Sequence, residues 1–420
     1  MTAALGEGLP GLRGAGQEKG WEAEGRAGAL DRWLLARLAK ALEGVPIRLA
    51  LWDGTERLAA PEAPVARVRF RNRRALFAVL RDPEFAFGEA YASGNLAVEG
   101  DLVSALVGID RVVDAPRRGG RRRPRPRNHG LGAARENVHH HYNLGNDFYR
   151  LWLDEEMLYT CAYFPRPDDS LEVAQRAKMD HVCRKLGLKP GDRVVEAGCG
   201  WGALALHMAR AYGATVTAFN ISREQIQHAR RRAAEDGLAD RVEFREDDYR
   251  AIRGRFDAFV SVGMVEHVGL ENYRTLGEVI DRSLEPQRGR GLLHFIGRNR
   301  PAPLNAWIER RIFPGAYPPS LTEVVDGVLA PFDFSVLDVE NLRLHYARTI
   351  EHWRHRLDTA AETVAAHFGV PFLRAWRLYL AGSEAAFRSG SMQLFQIGFA
   401  RGVTNEIPWT RAHLYTDLIP

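Results

Sequence analysis

Beyond residue 190 the chain switches repeatedly between short apolar runs and stretches with an apolar position every three or four residues. Val194–Ala197, Thr215–Asn220, Val242–Arg245, Phe256–Val262 and Gly291–Ile296 read as strands, while Glu224–Glu235 and Asn272–Leu284 read as helices. Strands alternating with helices predict an α/β fold, a doubly wound and mainly parallel sheet with ligands at the carboxyl ends of its strands. Ile350–Phe387 is strongly helical, and Gln393–Ala400 is expected to be a final strand. Residues 300–348, rich in proline (Pro301, Pro303, Pro314, Pro318, Pro319), break the rhythm and are expected to form an insertion or lid over the strand ends.

Upstream, the segment from Leu30 to Gly44 has helical spacing, Ile47–Trp52 and Ala66–Phe70 alternate like strands, and Arg74–Asp82 is helical again. A packed segment beginning at Phe85 closes near Asp110. Residues 29–112 are therefore expected to be a smaller α+β domain, and 136–420 the larger one, which includes an amphipathic helix over Leu171–Leu186. Residues 1–28, glycine-rich and aperiodic, are expected to be disordered.

Composition changes this picture in one place. With 45% hydrophobic and 26% charged residues the chain can build an ordinary core. The net charge is only +5, but seven arginines fall between Arg117 and Arg127 with two prolines and two glycines. Residues 113–135 are thus expected to be an exposed linker, either a solvated tether or an attractor for a polyanion such as nucleic acid or an anionic lipid surface. No aromatics interleave with the arginines, so no base-stacking platform is indicated. Cys161, Cys183 and Cys199 offer neither a disulfide framework nor metal-ligand spacing, as expected of a reducing cytoplasm. The consecutive His139, His140 and His141 point in different directions on any regular element, so no metal site is expected. No secretion signal and no membrane-spanning run of about 18 apolar residues is found.

The strand Val194–Ala197 ends in Gly198-Cys-Gly200-Trp-Gly202 and passes into a helix-forming segment. Glycine permits positive φ and lets a ligand approach main-chain N–H groups. A dinucleotide would want an acid about 20 residues on, but Ala218, Phe219 and Asn220 stand there and no acid follows before Glu224. S-adenosylmethionine fits better, with Glu196 before the turn and Asp247-Asp248-Tyr249 after the third strand to meet an adenine edge. A third reading is structural, with the glycines only letting strand and helix pack closely.

Further motifs narrow the choice. With His141-Tyr-Asn-Leu-Gly-Asn-Asp-Phe-Tyr, Tyr159-Thr-Cys-Ala-Tyr-Phe, Glu196-Ala-Gly-Cys-Gly-Trp-Gly, Ser261-Val-Gly-Met-Val-Glu-His-Val-Gly, Leu293-His-Phe-Ile-Gly, Ile312-Phe-Pro and Gln393–Gly402, the chain resembles the cyclopropane-fatty-acyl-phospholipid synthase family over roughly 85–402. These are methyltransferases acting on unsaturated lipid acyl chains. The resemblance implies an S-adenosylmethionine site built by Tyr159, Thr160, Glu196, Gly198, Gly200, Trp201, Gly202, Asn220, Gln225, Asp248 and Tyr249. It also implies a bicarbonate base contacted by Cys161, Glu266, His294, the Ile296 backbone and Tyr346. The expected product is a cyclopropane ring on a phospholipid acyl chain.

Two positions depart from the family. Asn220 stands where relatives more often carry a hydroxyl residue, and Glu155 and Glu156 stand where proline or an apolar residue is usual. The two acids read either as exposed charges at a helix end or as a carboxylate near the substrate cation, which could replace bicarbonate or redirect proton loss, giving a 10-methylene branch instead of a ring. The resemblance further implies a cytoplasmic enzyme, peripheral at the inner membrane surface, that meets unsaturated phospholipid by docking on anionic lipid and associates as a homodimer through the N-terminal domain. A nucleic-acid methyltransferase is disfavoured, because the chain has no Asn/Asp-Pro-Pro-Tyr/Phe tetrapeptide. A non-catalytic lipid carrier would have no need of the glycine turn.

Overall fold

The computed structural model describes residues 25–114 and 144–415. The arginine run and the first residues of the His141 motif lie outside them, as does most of the stretch expected to be disordered. The chain divides into two compact units.

One unit gathers the N-terminal elements with Leu304–Pro314 and Ile350–Ser391. Its sheet contains β1 (Ile47–Ala50), β2 (Glu56–Leu58), β3 (Ala66–Phe70) and β4 (Leu96–Gly100) in the order β2-β1-β3-β4, with only β1 and β3 parallel. Asn72 caps the helix Arg73–Arg81 by accepting from the Ala75 N–H at 2.8 Å. The expected boundary at 112 is too simple, because two distant segments pack into this unit. Arg311 and the Trp307 indole both donate to Glu89, and a Cβ on Gly88 would lie 2.4 Å from the Trp307 ring. Arg374, on the helix Val370–Ser389, donates to the Tyr91 and Leu96 carbonyls. Nothing in the local pattern of 304–314 or 350–391 encodes these partners; side chains on both sides of the contact decide it.

The other unit is built on a seven-stranded sheet of β5 (Arg193–Ala197), β6 (Thr215–Asn220), β7 (Val242–Glu246), β8 (Ala258–Val262), β9 (Arg290–Gly297), β10 (Phe334–Asn341) and β11 (Gln393–Arg401). The order is β10-β11-β9-β8-β5-β6-β7. β5 to β9 are mutually parallel, and β11 and then β10 join antiparallel at one edge. Both faces are covered. Val194, Val260 and Leu292 pack with Leu206 and Ile226 on one side, while Val195, Phe259 and Phe295 pack with Leu276 and Ile280 on the other. That is why these strands read as continuous apolar runs.

The expected lid over 300–348 does not form one element. Residues 304–314 belong to the first unit, and 334–341 form the edge strand β10. β10 is mostly exposed beyond Phe334, so its sequence lacks the apolar run that betrays a central strand. Its partner β11 supplies the pairing.

Candidate active site

The functional side chains gather at the carboxyl ends of β5, β6, β8 and β9, where an open α/β sheet binds its ligands. After β5 the chain turns through Gly198 (φ 86°), Gly200 (φ 53°) and Gly202 (φ 89°). The three glycines do different things. A Cβ on Gly202 would lie 2.7 Å from the Phe244 ring and 2.8 Å from Ala229, so this glycine serves close packing. A Cβ on Gly200 would meet nothing within 4 Å, so here the bare backbone faces open space. The Gly198 and Cys199 amides both donate to the Phe219 carbonyl, at 2.9 and 3.1 Å, tying the turn to β6.

Around this turn the expected donor residues form one hydrogen-bonded set. Asn220 Nδ2 donates to the Gly200 carbonyl at 3.2 Å and to Gln225 Oε1 at 2.7 Å. The residue that departs from the family thus holds the turn in place. Trp201 Nε1 donates to Asn146 at 2.7 Å, and its ring lies 5.2 Å from that of Tyr149. Tyr149 and Trp152 in turn pack on Tyr159. Glu196 is buried, and its Oε2 has no hydrogen-bond partner among the described residues. Burial pushes its carboxyl up to about 8, with the Lys178 charge opposing. After β7, Asp248 caps a short turn by accepting from the Arg250 N–H at 2.9 Å, and Arg250 lies over the buried Tyr249 ring. An open glycine backbone beside a buried carboxyl with an unpartnered oxygen fits an S-adenosyl group.

The reaction face comes from four separate segments. Glu266 lies on the short helix Val265–Val268 immediately after β8. Its Oε1 accepts from the Ile296 N–H at 2.5 Å, while Oε2 is buried without a partner among the described residues. Burial pushes its carboxyl up to about 7. The Ile296 amide, expected to face an anion, is thus engaged in holding Glu266. His294 on β9 accepts at Nδ1 from Gln396 Nε2 at 3.0 Å, its register partner on β11. Burial, and then the charges of Lys178 and Lys185, drive the imidazole well below its ordinary range, so it is neutral. Its Nε2, left with the proton, has no partner among the described residues.

Backbone bonds bring the remaining two residues in. The Leu342 carbonyl accepts from the Tyr346 N–H at 3.0 Å and lies 3.9 Å from Cys161 Sγ. The Leu342 N–H donates to Leu394, which faces Ile296 across the β11–β9 pairing. Cys161 is fully buried, and that burial pushes its thiol far up, so it stays protonated. Tyr346 is buried at the start of the helix Arg343–Thr359. A neutral imidazole N–H, a thiol and a phenol fit the recognition of a small anion such as bicarbonate.

Glu156 does not join this face. Its carboxylate accepts from Arg232 at 2.7 Å, and the side chain is 38% exposed. An acid held at the surface by an arginine is not available to a substrate cation, and Glu155 is exposed beside it.

Three residues escaped sequence reasoning. Gln175 and Lys178, on the helix Leu171–Lys185, are buried, and Lys178 Nζ donates to Thr160 Oγ1 at 2.8 Å. The signal was present, since both occupy the apolar stripe of that helix with Leu171, Ala174 and Val182. Gln396, a lone amide inside the apolar run Leu394–Phe399, carried the same kind of signal.

A family model described as mycolic acid cyclopropane synthetase matches residues 129–397, and one described as a domain of unknown function matches 34–110. The chain is 37% identical over 396 residues to a probable fatty acid methyltransferase of Pseudomonas putida, covering 91% of this chain and 100% of the relative. It is 41% identical over 267 residues to the cyclopropane-fatty-acyl-phospholipid synthase of Escherichia coli, covering 63% of this chain and 68% of the relative. The solved structure of mycolic acid cyclopropane synthase CmaA1 complexed with SAH and CTAB matches with a TM-score of 0.60 and 31% identity, over 64% of this chain and 98% of that one.

Proposed function

The chain belongs to the mycolic acid cyclopropane synthetase family, and we propose that it is an S-adenosylmethionine-dependent methyltransferase that converts the cis double bond of an unsaturated phospholipid acyl chain into a cyclopropane ring. The observation that carries this reading is the pair of partnerless buried atoms, Glu266 Oε2 and His294 Nε2, on the sheet whose strand β5 leads into the open backbone of Gly200.

When bound, S-adenosylmethionine supplies an electrophilic methyl group. Glu196, Gly198, Gly200, Asn220 and Gln225, with Tyr159, Thr160 and Trp201, would hold it, and Asp248 and Tyr249 close the set after β7. An alkene that accepts a methyl group becomes a carbocation, and the ring closes only if a proton then leaves the new methyl. A base for that step must sit in an apolar site and stay clear of the cation. A carboxyl raised to about 7 by burial can hold and release a proton near neutrality. The neutral His294 offers an N–H to an anion, and bicarbonate held by Cys161, His294 and Tyr346, next to Glu266, would serve as the base.

Among the described residues no helix is long and apolar enough to cross a membrane. The seven arginines between residues 117 and 127 support a reading in which the lipid is reached by docking on the inner membrane surface from the cytoplasm, the arginines being drawn to anionic headgroups. The N-terminal unit would serve docking or pairing into a homodimer.

Incubating the protein with S-adenosylmethionine and oleoyl phospholipid vesicles, then recording proton NMR of the extracted acyl chains, tests the reading. Ring and methylene branch have the same mass, but only the branch keeps alkene protons. Upfield ring protons are expected. Unchanged lipid, with the protein shown to be folded, overturns the proposal. A branch would correct the product, although Glu156, the residue that motivated that alternative, is bound to Arg232.

A further inference from the structure

We propose that Gln175 and Lys178 form a clamp that positions the Tyr159–Cys161 segment for the methyl donor, Lys178 acting through Thr160; this rests on the donor role given above to Tyr159 and Thr160.

Three hydrogen bonds leave one face of one helix for two nearby loop residues. Gln175 Nε2 donates to the Leu158 and Thr160 carbonyls at 3.2 and 3.0 Å, and Lys178 Nζ donates to Thr160 Oγ1 at 2.8 Å. Both side chains are essentially inaccessible, at 0% and 1% exposure. The segment that follows is held from its other side, where the Ala162 N–H donates to Thr349 Oγ1 and the Phe164 N–H to His345 Nδ1. Tyr159 and Thr160 on the donor side and Cys161 on the reaction side therefore share one rigid strip of backbone.

Packing alone does not call for a charge at position 178. A buried ammonium costs several kcal/mol to desolvate, and an apolar residue of similar volume is often as stable or more so. The groups facing Lys178 explain its presence. Asp154 and Cys161 precede it, Glu196 comes from β5, and His294 from β9 feels its charge. Lys178 opposes the rise that burial imposes on the Glu196 carboxyl at the edge of the glycine turn while it fixes Thr160. Burial pulls the ammonium down to about 8, with Asp154, Cys161 and Glu196 opposing, so it is charged at neutral pH. A residue that only filled space would affect donor and lipid alike; a clamp on the donor strip acts on the donor.

The test measures S-adenosylmethionine binding to the full chain by calorimetry, and KM for the donor and for oleoyl phospholipid separately. Wild-type protein that binds no S-adenosylmethionine refutes the functional reading itself and the clamp with it. Given wild-type binding, Lys178→Met is expected to raise the donor KM by about tenfold or more while the lipid KM stays within about twofold. Gln175→Met, which leaves the charges untouched, is expected to show the same split to a smaller degree. Donor KM values within about twofold of wild type, or a parallel rise in both KM values, overturn the clamp. If neither variant folds, the wild type decides: the 159–161 amides are expected to be protected from hydrogen exchange before S-adenosylmethionine is added, and exchange there as fast as in an unstructured loop overturns the proposal.

Discussion

The donor cradle and the reaction face lie at the same end of one sheet, yet they are built in opposite ways. The cradle is nearly continuous in sequence, Glu196 to Gly202 with Asn220 and Gln225 one strand away, and apart from the buried Glu196 Oε2 its polar groups largely satisfy one another. The reaction face draws Cys161, Glu266, His294 and Tyr346 from four segments, and it leaves Glu266 Oε2 and His294 Nε2 buried without partners among the described residues. A surface that must grip a cofactor can be prepaid in hydrogen bonds. One that must exchange a proton with a substrate keeps its reactive atoms open, and the surrounding fold bears the cost.

The largest effect that would sharpen this contrast is on Glu266. Glu266→Gln keeps the shape and an acceptor for the Ile296 N–H but removes the titrating carboxyl beside the bicarbonate base, so turnover should fall by about 10²–10⁴ while S-adenosylmethionine binding measured by calorimetry survives. Loss of binding together with turnover would erase the distinction between the two regions.

Next come the glycines within the cradle. Gly202→Ala forces a Cβ to 2.7 Å from Phe244 at φ 89° and should lower unfolding stability by about 3 kcal/mol in denaturant melts. Gly200→Ala, at φ 53° in open space, should cost only about 1 kcal/mol of stability. Its effect should instead appear as about tenfold weaker donor binding. Equal stability losses at the two positions would show that both glycines serve packing alone.

The pH dependence of stability follows from the raised carboxyls. Glu266 and Glu196 bind a proton more tightly folded than unfolded, so the stability they contribute is present below the ordinary value of 4.5 and is lost as pH rises through about 7 and about 8. Thermal melts at a series of pH values should show this decline. Glu266→Gln should flatten the part between 4.5 and about 7. The wild-type pH–rate profile should rise on an acid limb near 7 if the Glu266 carboxylate is the form needed.

The smallest effect belongs to Glu156. Its ion pair with Arg232 is partly solvated, so Glu156→Gln should change stability by less than about 1 kcal/mol. The ratio of ring to branch in the NMR assay should not move. A changed product would return this residue to the reaction face.

Much of this molecule was legible before its structure. β5 to β9 and β11 appear within a few residues of where apolar runs placed them, because strands buried on both faces cannot be polar. The glycine turn was equally plain, since a local backbone demand leaves a local signature. β10 was missed because an edge strand exposes most of its side chains and takes its pairing from β11. Lys178 was missed because a lysine on a helix reads as solvated until the packing shows it on the buried stripe.

What the sequence determined by itself was therefore six of the seven strands of the larger sheet and the glycine turn after β5. The tertiary structure decided which glycine packs and which lies open, that the Ile296 amide serves Glu266, that Glu156 turns to Arg232, and that 304–314 and 350–391 leave the larger unit for the smaller one. Periodicity and turn chemistry act over a few residues and are written there. Burial, register and charge compensation act between residues from 30 to 222 positions apart, and they exist only once the chain has closed on itself.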